Sequence, residues 1–348
     1  ELFSGSSSST GSSADANGSG VALTDLDGRI VSFAIDTDAD TSVLYAVTQS
    51  AVDSTHHLIT IDTDNAIDDG TAVGSIVDLG AIEVNSSRDG TGTQINPTIV
   101  SADIRNGVLV AIATGISSAT ERQIIGVDLE NPSEDSVYYT IPDTLYIGDE
   151  LVGLSVDNNG NLFSISNSTS VSRLMSSDVQ QSLFTVSQTN ALAGEIGTLT
   201  DSNGDAVTDT VSAVSFSKAG DVLYAILRNT DDGQDRLVTL DMSSAQVDEV
   251  GSYSSIIQID GEDTHIVALE TSPTGELLGF DDSQEAGRRL IQINLDDTEN
   301  SLQGSSADSD LSNLMGFAVD SNGRYFSLAD TTTQTRLYSS LNSFVPQG

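Results

Sequence analysis

Val156-Asp157-Asn158-Asn159-Gly160-Asn161-Leu162-Phe163-Ser164-Ile165, followed by Ser172-Arg173-Leu174, is the stretch that decides the fold. A short apolar strand ends at Val156, and a polar turn rich in Asn and Gly supplies the positive φ that a tight hairpin needs. A second strand returns with a small residue, Ser164, near its middle, and a third begins at Leu174. The phrase recurs six times. Its opening strands are Ile30-Val31-Ser32-Phe33, Ile99-Val100-Ser101-Ala102, Leu151-Val152-Gly153-Leu154, Ser212-Ala213-Val214, Val267-Ala268-Leu269 and Met315-Gly316-Phe317. Second strands follow at Leu44, Leu109, Leu162, Leu223, Leu278 and Tyr325, and third strands at Leu58, Ile124, Leu174, Leu237, Leu290 and Leu337, the last four each preceded by Arg. From Ser32 to Gly316 the mean period is about 57 residues, somewhat longer than familiar blade repeats of ~40 to 50.

A repeat of three or four short antiparallel strands cannot bury both faces alone, so neighbours must stack. Closing them radially removes most exposed edges. The pattern therefore predicts an all-β chain, a six-bladed β-propeller with four-stranded antiparallel blades over residues 21–348. The recurring Ser, Gly or Ala in the first strands is expected where backbones crowd around a central channel. Val21 to Leu26 precede the first repeat with no partner of their own, while the sixth repeat has little chain left after its third strand. The N-terminal strand is accordingly expected to complete the last blade. Residues 1–20 are rich in Ser and Gly and read as an arm outside the propeller.

The quoted phrase resembles the repeats of secreted bacterial propellers of the NHL and YVTN-like kind, as does Leu223-Tyr224-Ala225-Ile226 with Arg236-Leu237-Val238-Thr239-Leu240-Asp241. The resemblance covers about residues 21–345 and implies architecture rather than activity, because many functions share these repeats. The first repeat departs most, with Asp36 to Ser42 in place of a tight glycine turn.

Charge narrows the partners. The chain has 52 acidic residues against 12 Lys plus Arg, a formal charge of −40, and no cysteine or tryptophan. Such a surface repels phosphate backbones and anionic lipid, which excludes nucleic acid as a partner. No run of 18 apolar residues could cross a bilayer as a helix, so membrane insertion is not expected either. Absent cysteines exclude thiol catalysis, zinc–thiolate sites and disulfides. The self-repulsion of the surface is relieved by salt or divalent cations, and Asp outnumbers Glu by 39 to 13, so the composition resembles halophilic or marine secreted proteins. An extracellular or cell-surface location after signal-peptide cleavage is the expectation.

Calcium is the suspected ion, because hard oxygen ligands at alternating loop positions are what it requires. Asp201, Asn203 and Asp205 form one candidate set, and Asp36, Asp38 and Asp40 the other. In the first, Ala206 replaces the turn glycine of a helical calcium loop, and a β-hairpin turning at Asn203-Gly204 competes with it. His56 and His57 fall at a hairpin end and His265 opens the fifth inner strand. Ser and Asp are so abundant that a triad can be drawn almost anywhere, so no catalytic residue is assigned and no enzyme is expected. The functional expectation is a structural subunit that self-associates into a filament or surface layer, its arm pairing with a neighbour and Leu2 and Phe3 docking there. The alternative is a calcium-dependent propeller hydrolase or lyase, or a ligand-binding, adhesive propeller with glycans among its candidate partners.

Overall fold

The computed structural model describes residues 21–22, 26, 28–36, 43–61, 76–85, 92–105, 108–116, 122–130, 132–133, 137–140, 150–156, 161–167, 172–178, 194–251, 256–283, 289–306, 313–319, 324–330 and 335–341. Among them the chain is nearly all β, with one three-residue 3-10 turn at Thr298–Asn300. No helix among the described residues is long and apolar enough to cross a membrane.

Each sequence repeat becomes an antiparallel four-stranded sheet. The first contains Arg29–Asp36, Val43–Gln49, His56–Ile61 and Ile76–Ala81. The second contains Thr98–Arg105, Val108–Thr114, Arg122–Asp128 and Val137–Thr140. The third is built from Glu150–Val156, Asn161–Asn167, Ser172–Asp178 and Gly194–Thr198. In the fourth stand Thr210–Phe216, Leu223–Arg228, Asp235–Leu240 and Val247–Glu249. Ile266–Thr271, Leu277–Asp281, Arg289–Ile293 and Leu302–Ser306 make the fifth. The sixth joins Asn313–Val319, Arg324–Asp330 and Thr335–Leu341 to Val21–Ala22 from the other end of the chain, with Val21 opposite Leu337 and Ala22 opposite Arg336.

The first strands of the sheets lie side by side. Arg29–Asp36 packs against Thr98–Arg105 and Asn313–Val319, Glu150–Val156 against Thr98–Arg105 and Thr210–Phe216, and Ile266–Thr271 against Thr210–Phe216 and Asn313–Val319. A feature that periodicity does not reveal is common to all six. The ladder between first and second strands shifts register at the same height, between Ile30 and Ser32, Ile99 and Ser101, Val152 and Leu154, Val211 and Ala213, Ile266 and Ala268, and Leu314 and Gly316. A bulge bends the strand and increases its twist. The small residues seen in the sequence therefore mark bulges as well as crowding. Ser32 illustrates the crowding, since its hydroxyl donates to the Ala102 carbonyl at 3.2 Å and accepts the Ala102 amide at 3.1 Å.

Apolar side chains alternate between the two faces of each sheet and fill the layers between sheets. Val47, Leu58, Leu109 and Ile125 pack between the first and second sheets. Phe163 and Phe216 meet edge to face, 5.4 Å between ring centres, between the third and fourth. Ile226, Leu237, Ile266 and Ile291 fill the layer between the fourth and fifth.

Candidate functional site

The antiparallel registers place the start of every inner strand beside the turn from second to third strand, as in Thr210 opposite Arg228 and Ile266 opposite Asp281. One face of the molecule therefore gathers those turns with the connections that lead into the inner strands. Its described polar groups fall into three places.

On the first sheet, His57 stands between Thr48 and Ala81. The ladder to the fourth strand shifts between Leu58 and Ile59, and the Asp78 carboxylate lies 3.0 and 3.2 Å from His57 Nδ1. His57 Nε2 is 3.2 Å from Thr55 Oγ1. Leu26, Thr48, Ser50, Ile59 and Ile76 complete a cleft of about 60 Å³, room for a few waters rather than an organic ligand of ordinary size. The spacing is that of an acid, an imidazole and a hydroxyl, but the hydroxyl proton points elsewhere. Thr55 Oγ1 donates to Asp53 Oδ1 at 2.7 Å, and this bond, with the Thr55 amide, holds the Asp53 carboxyl below its ordinary range. A hydroxyl has one proton to give. With that proton on Asp53, Thr55 has none to offer His57 Nε2, whereas a general base must receive the nucleophile's proton.

His56, on the opposite face of the same strand, is buried. Its amide donates to Asn96 Oδ1 at 2.8 Å and Asn96 Nδ2 donates to the Ile82 carbonyl at 2.8 Å, so one asparagine ties the first sheet to the connection leading into the second. Burial, and then the Arg29 charge, push the His56 imidazole below its ordinary value of 6.5. The neutral ring is the folded form, so its contribution to stability is complete above pH 6.5 and is lost as pH falls from there through the depressed folded value. Acid destabilisation in this window should shrink in His56→Gln, read from urea midpoints between pH 7 and 5. Equal slopes in both proteins would refute it.

The second place is the layer between the fourth and fifth sheets. Asp235 is buried and receives Arg228 Nε at 2.8 Å and Nη2 at 3.1 Å. It also accepts the amide of Ile266, whose carbonyl takes Arg228 Nη2 at 2.8 Å. One ion pair thus satisfies both backbone groups of a residue in the next sheet. Burial pushes the Asp235 carboxyl up, against the pull of Arg228. From the fifth sheet, Asp281 and Arg289 form a second buried pair. On the far side of the fourth sheet, Arg236 binds Asp209 and Glu249.

The third place is acidic. Asp231 and Asp232 lie on the turn between the second and third strands of the fourth sheet, and Asp260, Glu262 and Asp263 on the small hairpin Gln258–Ile259 with Glu262–Asp263. All five are exposed. Gln234 Nε2 donates to Asp263 at 3.3 Å and Gln258 Nε2 at 2.7 Å, which joins the two loops. No described Lys or Arg pairs with any of the five.

The candidate calcium ligands fall as follows. Asp201, Asn203 and Asp205 form a hairpin turn, with Thr200 bridged to Ala206. Asp201 Oδ1 accepts the amides of Asn203 and Asp205, each at 2.9 Å, and Oδ2 accepts Asn203 Nδ2 at 3.1 Å. These bonds, that from Asp205 first, hold the Asp201 carboxyl below its ordinary range. Asp205 is exposed. Asp36 ends the first inner strand, while Asp38, Asp40, Leu2 and Phe3 lie outside the described residues. Among the described residues no three His, Asp or Glu groups converge to share a metal ion. The sequence did not single out the His57–Asp78 contact or the buried Arg–Asp pairs. The period-two faces of the strands were the available signal for the pairs.

No family model matches the chain, and no curated protein does. Solved structures do. The PQQ-bound aldose sugar dehydrogenase of Streptomyces coelicolor is similar over 92% of this chain and 95% of its own, at 13% identity and a TM-score of 0.52. The Cps50 (Swd1) β-propeller domain of Myceliophteria thermophila matches over 92% and 86%, at 12% identity and 0.50. The calcium-binding protein regucalcin of Agrobacterium tumefaciens matches over 94% and 95%, at 10% identity and 0.50. At these identities the likeness shows the fold, a β-propeller built of four-stranded antiparallel sheets. It also corrects the expectation of a filament subunit. The similar propellers are named for a dehydrogenase and for calcium binding, which favours the enzymatic or ligand-binding alternative. The arm of residues 1–20 on which that expectation rested lies outside the described residues.

Proposed function

We propose that the chain is a secreted ligand-binding β-propeller that takes up calcium or another cationic ligand on its acidic face and catalyses no reaction. In this reading the six sheets are six blades of a ring closed by Val21–Ala22. The cyclic packing of the inner strands and the pairing of Val21 with Leu337 support it. The observation that carries the functional part is the pair of joined loops with Asp231, Asp232, Asp260, Glu262 and Asp263 exposed and, among the described residues, without basic partners. On a chain of charge −40, the field at such a surface concentrates cations and steers them inward. Calcium suits carboxylate and amide oxygens that can adjust their spacing, and regucalcin, a propeller of similar fold, is titled a calcium-binding protein. The direction of the Thr55 proton supports a non-catalytic role, since among the described residues it leaves the Thr55 hydroxyl with no proton to give His57.

Calorimetric titration with CaCl₂ in 0.5 M NaCl tests the reading. Saturable binding is expected, weakened about tenfold or more in the triple variant Asp232→Asn, Glu262→Gln, Asp263→Asn. Heats that do not saturate, or that the triple variant reproduces, would sink it. So would ester or lactone hydrolysis that disappears in His57→Ala.

A further inference from the structure

The hairpin that follows the outer strand of the third sheet, Gly194–Thr198, carries an Asn-Gly pair at its tip. Thr200 and Ala206 bridge its two arms, and the Val207 amide donates to the Leu199 carbonyl at 2.9 Å. The Val247 amide donates to the Thr200 carbonyl at 2.8 Å, so the same hairpin joins the third sheet to the outer strand of the fourth. Asn203 and Gly204 are exposed, and nothing lies within 4 Å of a Cβ built on Gly204. An asparagine followed by glycine is open to deamidation for a steric reason, because no side chain stands over the nitrogen of the second residue. That nitrogen loses its proton and attacks Asn203 Cγ, the side-chain nitrogen leaves as ammonia, and a succinimide ring closes. Water then opens the ring at either carbonyl, giving aspartate or isoaspartate.

The fold opposes each requirement of that step, and one residue supplies most of the opposition. The Gly204 amide, the attacking group, donates to the Asp201 carbonyl at 3.0 Å. Asn203 Nδ2, the leaving group, donates to Asp201 Oδ2 at 3.1 Å. An ionised carboxylate only accepts, so the side-chain nitrogen of Asn203 rather than its oxygen must face it. The Asn203 side chain is therefore turned back toward residue 201, whereas attack needs Cγ over the nitrogen of residue 204. The Asn203 and Asp205 amides both donate to Asp201 Oδ1 at 2.9 Å, which fixes the carboxylate on the turn. Its negative charge also disfavours a deprotonated amide close by.

We propose that Asn203 is a deamidation site whose rate is set by Asp201. While the turn is closed, the Gly204 nitrogen and the Asn203 side chain are both committed to Asp201, and the reaction proceeds through local opening of the tip. The products do not refit. Aspartate at 203 sets a second carboxylate against Asp201 in place of a donor. Isoaspartate lengthens the backbone by one carbon inside a turn whose ends are joined by the Asp201 amide donating to the Asp205 carbonyl at 2.9 Å. Modification therefore loosens the hairpin that links the third and fourth sheets. The site is separate from the joined acidic loops and does not depend on cation uptake there.

Peptide mapping by mass spectrometry, on the full chain incubated at mildly alkaline pH, reads the conversion at Asn203 directly. The folded protein is expected to deamidate there about tenfold or more slowly than the same chain unfolded in urea, since two or three hydrogen bonds must first be given up. Asp201→Ala should raise the folded rate about tenfold, close to the unfolded value. Asp205→Ala, whose carboxylate makes none of these bonds, should leave it unchanged. Should Asp201→Ala fail to fold, Asp201→Asn carries the same test, with a rise of about threefold expected from loss of the charge. Equal rates in the folded and unfolded chain overturn the proposal, as does a folded Asp201 variant that deamidates no faster than the parent.

Discussion

Gly28→Ala is expected to destabilise the protein by at least about 3 kcal/mol, enough to lower a urea midpoint by roughly 1 M at an m-value of about 3 kcal/mol/M. Two costs combine. Gly28 has φ +99°, a conformation that L side chains rarely adopt, and forcing alanine into it costs roughly 1–2 kcal/mol. An added Cβ would lie 1.9 Å from the Gln49 carbonyl oxygen and 2.8 Å from its carbon, both backbone atoms. Relief requires the inner strand to move off the second strand just where Arg29 opposes Gln49. Gly233→Ala is the control, because Gly233 has φ +77° but nothing within 4 Å of an added Cβ. That variant should lose only the conformational part, about 1 kcal/mol. Equal midpoints for the two variants would show that the close approach to Gln49 carries no energy.

Asp235→Ala should cost about 3–5 kcal/mol, the range found when one partner of a buried ion pair is removed. Arg228 would keep its charge in the layer, and the Ile266 amide would lose its acceptor. The double change Asp235→Leu with Arg228→Met should cost markedly less than the single one, since well-packed apolar groups often replace a buried pair with little loss. Chemical denaturation of the two singles and the double gives the coupling energy directly. A double variant no better than Asp235→Ala would mean that the pair matters only through the backbone groups of Ile266.

The repeat phrase was legible because it is local. Asn and Gly turns, small residues in the inner strands and the spacing to the third strand all lie within one repeat, and each of the 18 strands named there, three in each of six repeats, coincides with an observed strand. Val21 and Ala22, which the repeats leave without a partner, lie opposite Leu337 and Arg336. The Asn203-Gly204 turn formed as a hairpin for the reason its sequence suggests. The site was far less legible. His57 meets Asp78 through a register shift that no spacing encodes. Arg228 reaches Ile266 across 38 positions, between modules whose relative placement only packing decides. The four Arg residues before third strands looked alike in sequence, yet Arg236 and Arg289 bind different carboxylates in different layers. Exposed carboxylates were hardest of all, because among 52 acidic side chains composition cannot say which ones a fold gathers on one face. The filament expectation rested on composition in residues 1–20, and a Ser/Gly-rich stretch carries no signal of what it pairs with.

The pairing of Val21–Ala22 with Arg336–Leu337 has a kinetic side. Hairpins within a repeat can close in microseconds, but this contact joins positions more than three hundred residues apart. Loop-closure entropy must be met before it returns any hydrogen bond, and a two-residue ladder returns few. The sixth sheet is therefore expected to gain hydrogen-exchange protection after the others during refolding.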